Sequence, residues 1–472
     1  MKLSKIMAAA CAALMVAGSA FAKTVKKPSS ISLMVDGTFL IKENGEDVLV
    51  QGFKDRTGID LVLNHPIHNQ YYEKVNLTFT TGDIPDVILL SSSYYNTYAL
   101  AGALYDVSKL YKSSDISKNI ADQSLVDALK VDGKLYGVPY DRGNGPITYV
   151  RGDWLEKLNM KAPTTYDEYL DMLRAFKNKN PDGLKPEDVI PVTAAGLIGP
   201  EYPYNNYLPE FYQDARPDFV KVKGKWVDGM SQPNMKAALT RMAAAYKEGL
   251  IDKEIITNKT STCRDKFYSG KVGAFTYWAG TWNYNLQKNL TPNVAQGKVT
   301  PIPAIKGVKY IERPATVLCI TSKCKNPEAV FKYFFEDALD CGKGQQFWTF
   351  GVEGKTYKVE NGQIQFLPSI QNPKTPFVKA WFSPEIPTTK YAANWKEDPL
   401  IKNSLSMFQK NNVAYSLPPA SDTLSELGPE LDKMKSSYIT KIVYGELSVD
   451  DGIAQYQKAS EKYVKAILAS LK

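Results

Sequence analysis

Helical and strand patterns alternate along this chain. Ser32-Leu33-Met34-Val35 and Asp60-Leu61-Val62-Leu63 read as strands. Asp86-Val87-Ile88-Leu89-Leu90 is a short apolar run with turn signals on both sides, as a buried parallel strand requires. It gives way to Ser91-Ser92-Ser93-Tyr94-Tyr95, which reads as a ligand-facing loop. Open α/β sheets bind ligands beyond the carboxyl ends of their strands. Thr165-Tyr166-Asp167-Glu168 is a capping box, in which Glu168 returns a hydrogen bond to the cap backbone. Tyr169, Leu173 and Phe176 follow at helical spacing. Asn326-Pro327-Glu328 opens another helix, with Asn as N-cap and Pro in the first turn. Val330, Phe331, Phe334, Phe335 and Ala338 are its expected buried face. Ser448 starts the last helix, with Val449, Ile453, Tyr456, Tyr463 and Ile467 along one side. This mixture predicts α/β architecture, and 472 residues predict two or three domains. No internal repeat of solenoid length is present.

The first residues change the picture. Lys2 and Lys5 precede an apolar stretch from Met7 to Ala17, and Ala20-Phe21-Ala22 forms a small-x-small cleavage pattern. Residues 1–22 are therefore expected to be a signal peptide cleaved after Ala22, leaving a periplasmic or secreted protein. Lipid anchoring at Cys11 is disfavoured, because that cysteine precedes most of the apolar run. No later stretch approaches the roughly 20 apolar residues of a spanning helix. Loss of Lys2 and Lys5 lowers the net charge of +8 by two, to +6. The basic residues are interleaved with acids, which argues against a nucleic-acid surface. Cys263, Cys319, Cys324 and Cys341 remain. Cys324 and Cys341 flank an expected helix of about 14 residues, or ~20 Å, beyond the reach of a disulfide. Free thiols and other pairings both stay open. No Cys-x-x-Cys pair suggests zinc or redox chemistry.

Several segments then occur in a telling order. They are Thr81-Gly82-Asp83-Ile84-Pro85-Asp86-Val87, Gly133-Lys134-Leu135-Tyr136-Gly137-Val138-Pro139 and Arg151-Gly152-Asp153-Trp154-Leu155. Gly270-Lys271-Val272-Gly273-Ala274-Phe275, Lys325-Asn326-Pro327-Glu328-Ala329 and Gly351-Val352-Glu353-Gly354-Lys355-Thr356-Tyr357 continue the series. Together they resemble the family 1 extracellular solute-binding proteins of bacterial ABC importers, in the large branch that binds oligosaccharides, aldouronates and alginate among them. The resemblance implies a two-lobed periplasmic-binding-protein (type II, Venus-flytrap) fold with ligand in the cleft between the lobes. Residues 29–147 and 304–345 would form the N-terminal lobe, and residues 148–303 and 346–472 the C-terminal lobe. The chain would cross near residue 147 and again near 303, and closure would be the functional motion. The implied partners are a carbohydrate, in particular an oligosaccharide with uronic-acid chains among the candidates, and a membrane ABC permease that the monomeric protein serves.

A sugar site needs aromatic platforms for C–H faces and polar groups for hydroxyls. With 29 Tyr, 18 Phe and 7 Trp, number decides nothing and position must. Phe275-Thr276-Tyr277-Trp278-Ala279-Gly280-Thr281-Trp282 is the leading candidate: a strand ends in a small-residue turn flanked by Trp278 and Trp282. Strand alternation sends Phe275 into the core. Tyr140-Asp141-Arg142 faces the expected hinge, where Asp141 could accept from hydroxyls and Arg142 could clamp a uronate. An internal Asp–Arg pair is the plain alternative. Tyr94, Tyr95 and Tyr204 (in Glu201-Tyr202-Pro203-Tyr204-Asn205-Asn206) complete the set, with Arg313, Trp348, Trp381 and Trp395 weaker. Core packing competes with ligand contact at each.

Alginate-type binders carry an EF-hand-like calcium loop, which aligns with residues 180–188. Such a loop needs oxygens at its first, third and fifth positions and Gly at the sixth. Here Leu184 and Lys185 take the last two, so no metal is expected, and no cofactor. His65 and His68 lack a third ligand. No Gly-x-Ser-x-Gly elbow, His-Glu-x-x-His helix or phosphate loop is present, and a binding protein rather than an enzyme is expected. The competing readings are a secreted glycosidase or lyase, whose carboxylate pair composition alone does not exclude, and a ligand-loaded co-receptor for a membrane sensor.

Overall fold

The computed structural model describes residues 25–36, 46–67, 70–140, 145–198, 207–367, 389–391, 398–415, 417–419 and 421–471. Residues 1–22, expected to be a signal peptide, and His68, Asp141, Arg142, Tyr204, Trp381 and Trp395 lie outside them. Two sheets organise the chain. Their strands, in chain order, are β1 (Ser30–Met34), β2 (Asp60–Asn64), β3 (Val87–Leu90), β4 (Gly137–Pro139), β5 (Pro146–Arg151), β6 (Ile190–Thr193), β7 (Val272–Trp278), β8 (Val299–Pro301) and β9 (Val317–Ile320). The first sheet runs β2-β1-β3-β9-β4 and the second runs β8-β5-β7-β6.

Register fixes which ends lie together. In the first sheet β9 runs antiparallel to β3 and β4, with Val317 opposite both Leu90 and Pro139. In the second, β5 and β7 are antiparallel, with Pro146 opposite Trp278. The parallel partner β6 places Thr193 beside Phe275. Pro139 ends β4 in the first sheet and Pro146 opens β5 in the second, so the chain crosses from one sheet to the other between these two residues. One end of the strands in each sheet therefore lies at that crossover: Leu90, Pro139 and Val317 on one side, Pro146 and Trp278 on the other.

Each sheet has its own core. Ile31, Val87, Val138, Cys319 and Phe334 pack in the first, and Tyr149, Trp154, Phe176, Phe275 and Tyr456 in the second. Ile305, Val308 and Tyr310 also pack in the second, because the segment after Pro303 folds back and the Tyr310 hydroxyl donates to the Ile302 carbonyl. Phe347 and Trp348 pack in the first, and Ile401 through Leu471 return to the second. Tyr310–Glu312 pairs in parallel with Asn412–Ala414, so a second crossover, toward Val317, is braced by the C-terminal segment.

Local signals explain many element boundaries. Thr165 and Glu168 form the capping box of helix Tyr166–Lys179, with Tyr169, Leu173 and Phe176 buried. Asn326 accepts from the Ala329 amide, and the five expected apolar residues behind it are buried. That helix is not uniform: Phe331–Phe335 forms a π turn, which aligns the Phe331 and Phe335 rings within 3°. Ser448 caps helix Val449–Ser470 by accepting from the Asp451 amide. Cys263, Cys319, Cys324 and Cys341 are all free thiols. No described helix is long and apolar enough to cross a membrane.

Candidate ligand-binding cleft

At the crossover end of the first sheet, β3 ends at Leu90 and the chain turns at once into helix Ser92–Leu100. The segment expected as a loop is a helix start, in keeping with the preference of serine for cap positions. The Ser91 amide donates to the Tyr72 hydroxyl oxygen at 2.9 Å. The Tyr72 ring stacks on half-buried Tyr94 at 4.2 Å and 17°. Tyr95 points the other way, since neighbours on a helix diverge by about 100°. It is fully buried, donates to the Leu129 carbonyl and accepts from the Tyr136 amide. Burial raises its hydroxyl pKa far above the ordinary value. Tyr95 is a core residue, which corrects its expected place in the site. Tyr140 is half-buried at the end of β4, its amide donating to the Thr316 carbonyl.

At the crossover end of the second sheet, β7 is buried from Val272 to Tyr277 and emerges only at Trp278. Phe275 and Tyr277 share a face, stacked at 5.3 Å, and Phe275 continues onto Phe267 at 5.4 Å. Phe275 is therefore core, as alternation requires. Trp278 projects from the opposite face to Tyr277. Gly280 follows with φ of 75°, a conformation that suits glycine. Its amide donates to Ser404 Oγ at 2.6 Å, and the Tyr149 hydroxyl donates to the Trp278 carbonyl at 2.8 Å. Tyr149 and Ser404 are themselves 3.1 Å apart. The turn is thus pinned to β5 and to helix Pro399–Asn411.

Both tryptophans are half-buried at this turn. Trp282 meets Tyr277 edge-to-face at 4.9 Å. Each also carries a guanidinium. Arg313, from the second crossover, lies 4.9 Å over Trp278, and Arg264, from helix Thr260–Tyr268, lies 4.8 Å over Trp282 and 5.6 Å over Tyr277. Arg264 was not expected. Nothing local in its sequence marks it, because its relation to Trp282 is purely tertiary. Behind the sheet, Glu210 is buried, accepts from the Thr148 hydroxyl at 2.6 Å, and has its pKa pushed up to about 7 by burial.

Trp348 is a second correction. It is 2% exposed, packs against Phe53 at 5.5 Å and Phe334 at 5.0 Å, and its indole N–H donates to Asp337. These two rings, the Phe347 ring at 5.5 Å and a carboxylate account for it within the first core. His65 sits against Glu46 at 2.9 Å. Among the described residues, no group of three His, Cys, Asp or Glu side chains is arranged to hold a metal.

Comparison with known proteins places this architecture. The chain is 23% identical to lipoprotein LipO of Bacillus subtilis, an alignment spanning 96% of this chain and 95% of LipO. It is 23% identical to the polygalacturonan/rhamnogalacturonan-binding protein YtcQ of the same organism, over 83% of this chain and 80% of YtcQ. The crystal structure of alginate-binding protein AlgQ2 without calcium ion superposes with a TM-score of 0.69 at 22% identity, covering 94% of this chain and 97% of AlgQ2. The profile of the bacterial extracellular solute-binding proteins matches residues 38–334. This two-lobed chain therefore belongs to the bacterial extracellular solute-binding protein family.

Proposed function

We propose that the protein captures an oligosaccharide between its two lobes, carries it without chemical change, and releases it to a membrane ABC permease. The observation that carries this reading is the turn from Trp278 to Trp282. It sets two half-buried indoles at the end of an interior strand beside the interlobe crossover, on a backbone held by Tyr149 and Ser404. Such rings offer faces to sugar C–H bonds. Tyr94 and Tyr140, at the facing strand ends of the first sheet, would meet the ligand from the first lobe. Arg313 and Arg264 set guanidinium groups against the platform, which favours carboxylate-bearing sugars. YtcQ and AlgQ2, whose names specify polygalacturonan, rhamnogalacturonan and alginate, support a carbohydrate ligand. Asp141, Arg142 and Tyr204 remain candidates on sequence grounds. In this reading the signal peptide is removed after Ala22, the protein acts as a monomer outside the cytoplasm, and the crossovers after Pro139 and before Val317 are the hinge.

A thermal-shift screen of the purified protein across neutral and uronic oligosaccharides tests this. A saturable rise in Tm with at least one glycan, and no new reducing ends or unsaturated products on long incubation, is expected. Turnover of a bound glycan would replace capture with catalysis.

A further inference from the structure

We infer that the side chain of Arg151 fills the place a calcium ion would take beside the loop of residues 180–188, so that the second lobe carries a built-in cation and works independently of calcium. The calcium loop implied by the family resemblance does not fit the residues present. Its first oxygen is spent internally: Asn180 Oδ1 accepts from the Leu184 amide at 2.9 Å, and its side-chain amide donates to the Leu184 carbonyl. Its third position, Asp182, has both carboxylate oxygens engaged. Oδ2 accepts from Arg151 Nη2 at 2.6 Å and Oδ1 from Lys157 Nζ. Leu184 offers no side-chain oxygen at the fifth position, and Lys185 replaces the glycine at the sixth.

Arg151 is completely buried. Its Nε and Nη2 grip Asp153 at 2.8 and 2.6 Å, and Nη1 donates to the Gly270 carbonyl at 2.8 Å. The ring of Trp154 lies 4.7 Å away. Asp153 also accepts from the Lys298 amide at 3.0 Å. One guanidinium thus ties together the end of β5, helix Gly152–Lys157, the 180–184 loop, the Gly270 turn and the entry to β8. These are the roles a bound ion serves in a loop: neutralising carboxylates and joining segments distant in sequence. Two carboxylates face two cationic side chains, so an added divalent ion would bring uncompensated charge into a buried place. Burial works against ionisation of Asp182, yet the contacts from Lys157 and Arg151 hold its pKa below the ordinary value.

The test uses the mature protein without sugar, so its outcome is independent of the proposed ligand. Titration of calcium chloride into chelator-treated protein is expected to give no binding heat, with Tm the same in EDTA and in millimolar calcium. Stoichiometric binding, or a Tm that falls in EDTA and recovers with calcium, would overturn the inference while leaving sugar capture untouched. Arg151→Met and Asp182→Asn should each lower Tm by about 5–10 °C, and the double variant should lose less than the two single losses added together, because both break the Arg151–Asp182 pair. Undiminished stability in both, or fully additive losses, would also overturn it. If either variant does not fold, the calcium titration of the unaltered chain still decides.

Discussion

The Arg313 guanidinium lies 4.9 Å over the ring of Trp278. One residue belongs to the second crossover and the other ends β7, so the contact joins the interlobe connection to the turn that carries the candidate platform. Glu312, beside Arg313, accepts from Asn412 at 2.7 Å, and its carbonyl accepts from the Tyr415 amide at 3.0 Å. The crossover thus reaches the turn already fixed on its other side by the C-terminal segment. In the proposed reading, rotation of the lobes and the stacking surface at Trp278 are mechanically linked.

Removal of either indole should weaken ligand capture. Trp278→Ala and Trp282→Ala are each expected to cost roughly 1–3 kcal/mol of binding free energy, or about 5- to 150-fold in Kd. Isothermal titration with a glycan that raises Tm checks this. Unchanged affinity in both variants would put the platform elsewhere.

Ser404 acts on the same turn from behind. Ser404→Ala leaves the buried Gly280 amide without its acceptor, at a cost of about 1–3 kcal/mol in stability. Tyr149→Phe removes the donor to the Trp278 carbonyl. Both variants should lower affinity as well as Tm, although neither side chain is placed to touch ligand. Binding and unfolding measured on the same samples separate this outcome from simple destabilisation, which would leave the affinity of the folded fraction intact.

Gly145 marks where the two crossovers press together. A Cβ there would stand 2.0 Å from the Ile311 carbonyl oxygen and 2.6 Å from the Phe408 ring. A backbone neighbour cannot yield as a side-chain tip can. Gly145→Ala should therefore destabilise by about 1–3 kcal/mol, read by denaturant unfolding. It should also change ligand-dependent compaction in solution scattering, because it spreads the crossovers proposed as the hinge.

Glu210 supplies a pH dependence with a definite sign. Its folded pKa of about 7 lies above its ordinary 4.5, so the folded state holds this proton more tightly than the unfolded state. Its contribution to stability is complete below the ordinary value, falls as pH rises between the two values, and is flat above them. Glu210→Gln keeps an oxygen for Thr148 and removes the titration. The variant should gain stability relative to the parent between pH 5 and 8, by on the order of 3 kcal/mol at most. An equal difference at both pH values would show that Glu210 does not titrate in this window. Measuring the difference between proteins matters, because burial also pushes Asp218 up to about 7.

Short-range chemistry was readable directly from sequence. The capping box at Thr165, the Asn326 cap, the apolar strand before Ser91 and the buried face from Val330 to Ala338 each depend on neighbours within one helical turn or one strand. Errors arose where the deciding partner is distant. Tyr94 and Tyr95 look alike in sequence, and only the direction of the helix beginning at Ser92 separates surface from core. Trp348 resembles a candidate platform until Phe53, remote in sequence, is seen against it. Arg264 gave no signal, because its position over Trp282 follows from the packing of two helices. Phe331–Phe335 carried the correct apolar spacing without revealing its π turn.

Capture of sugar without turnover is the central claim, and titration calorimetry with a purified uronic oligosaccharide, paired with chromatography of the recovered glycan, tests it most directly. The account predicts one saturable site, weakened by Trp278→Ala and Trp282→Ala, and a glycan recovered intact. Cleavage of the glycan, or full affinity in both tryptophan variants, would contradict it.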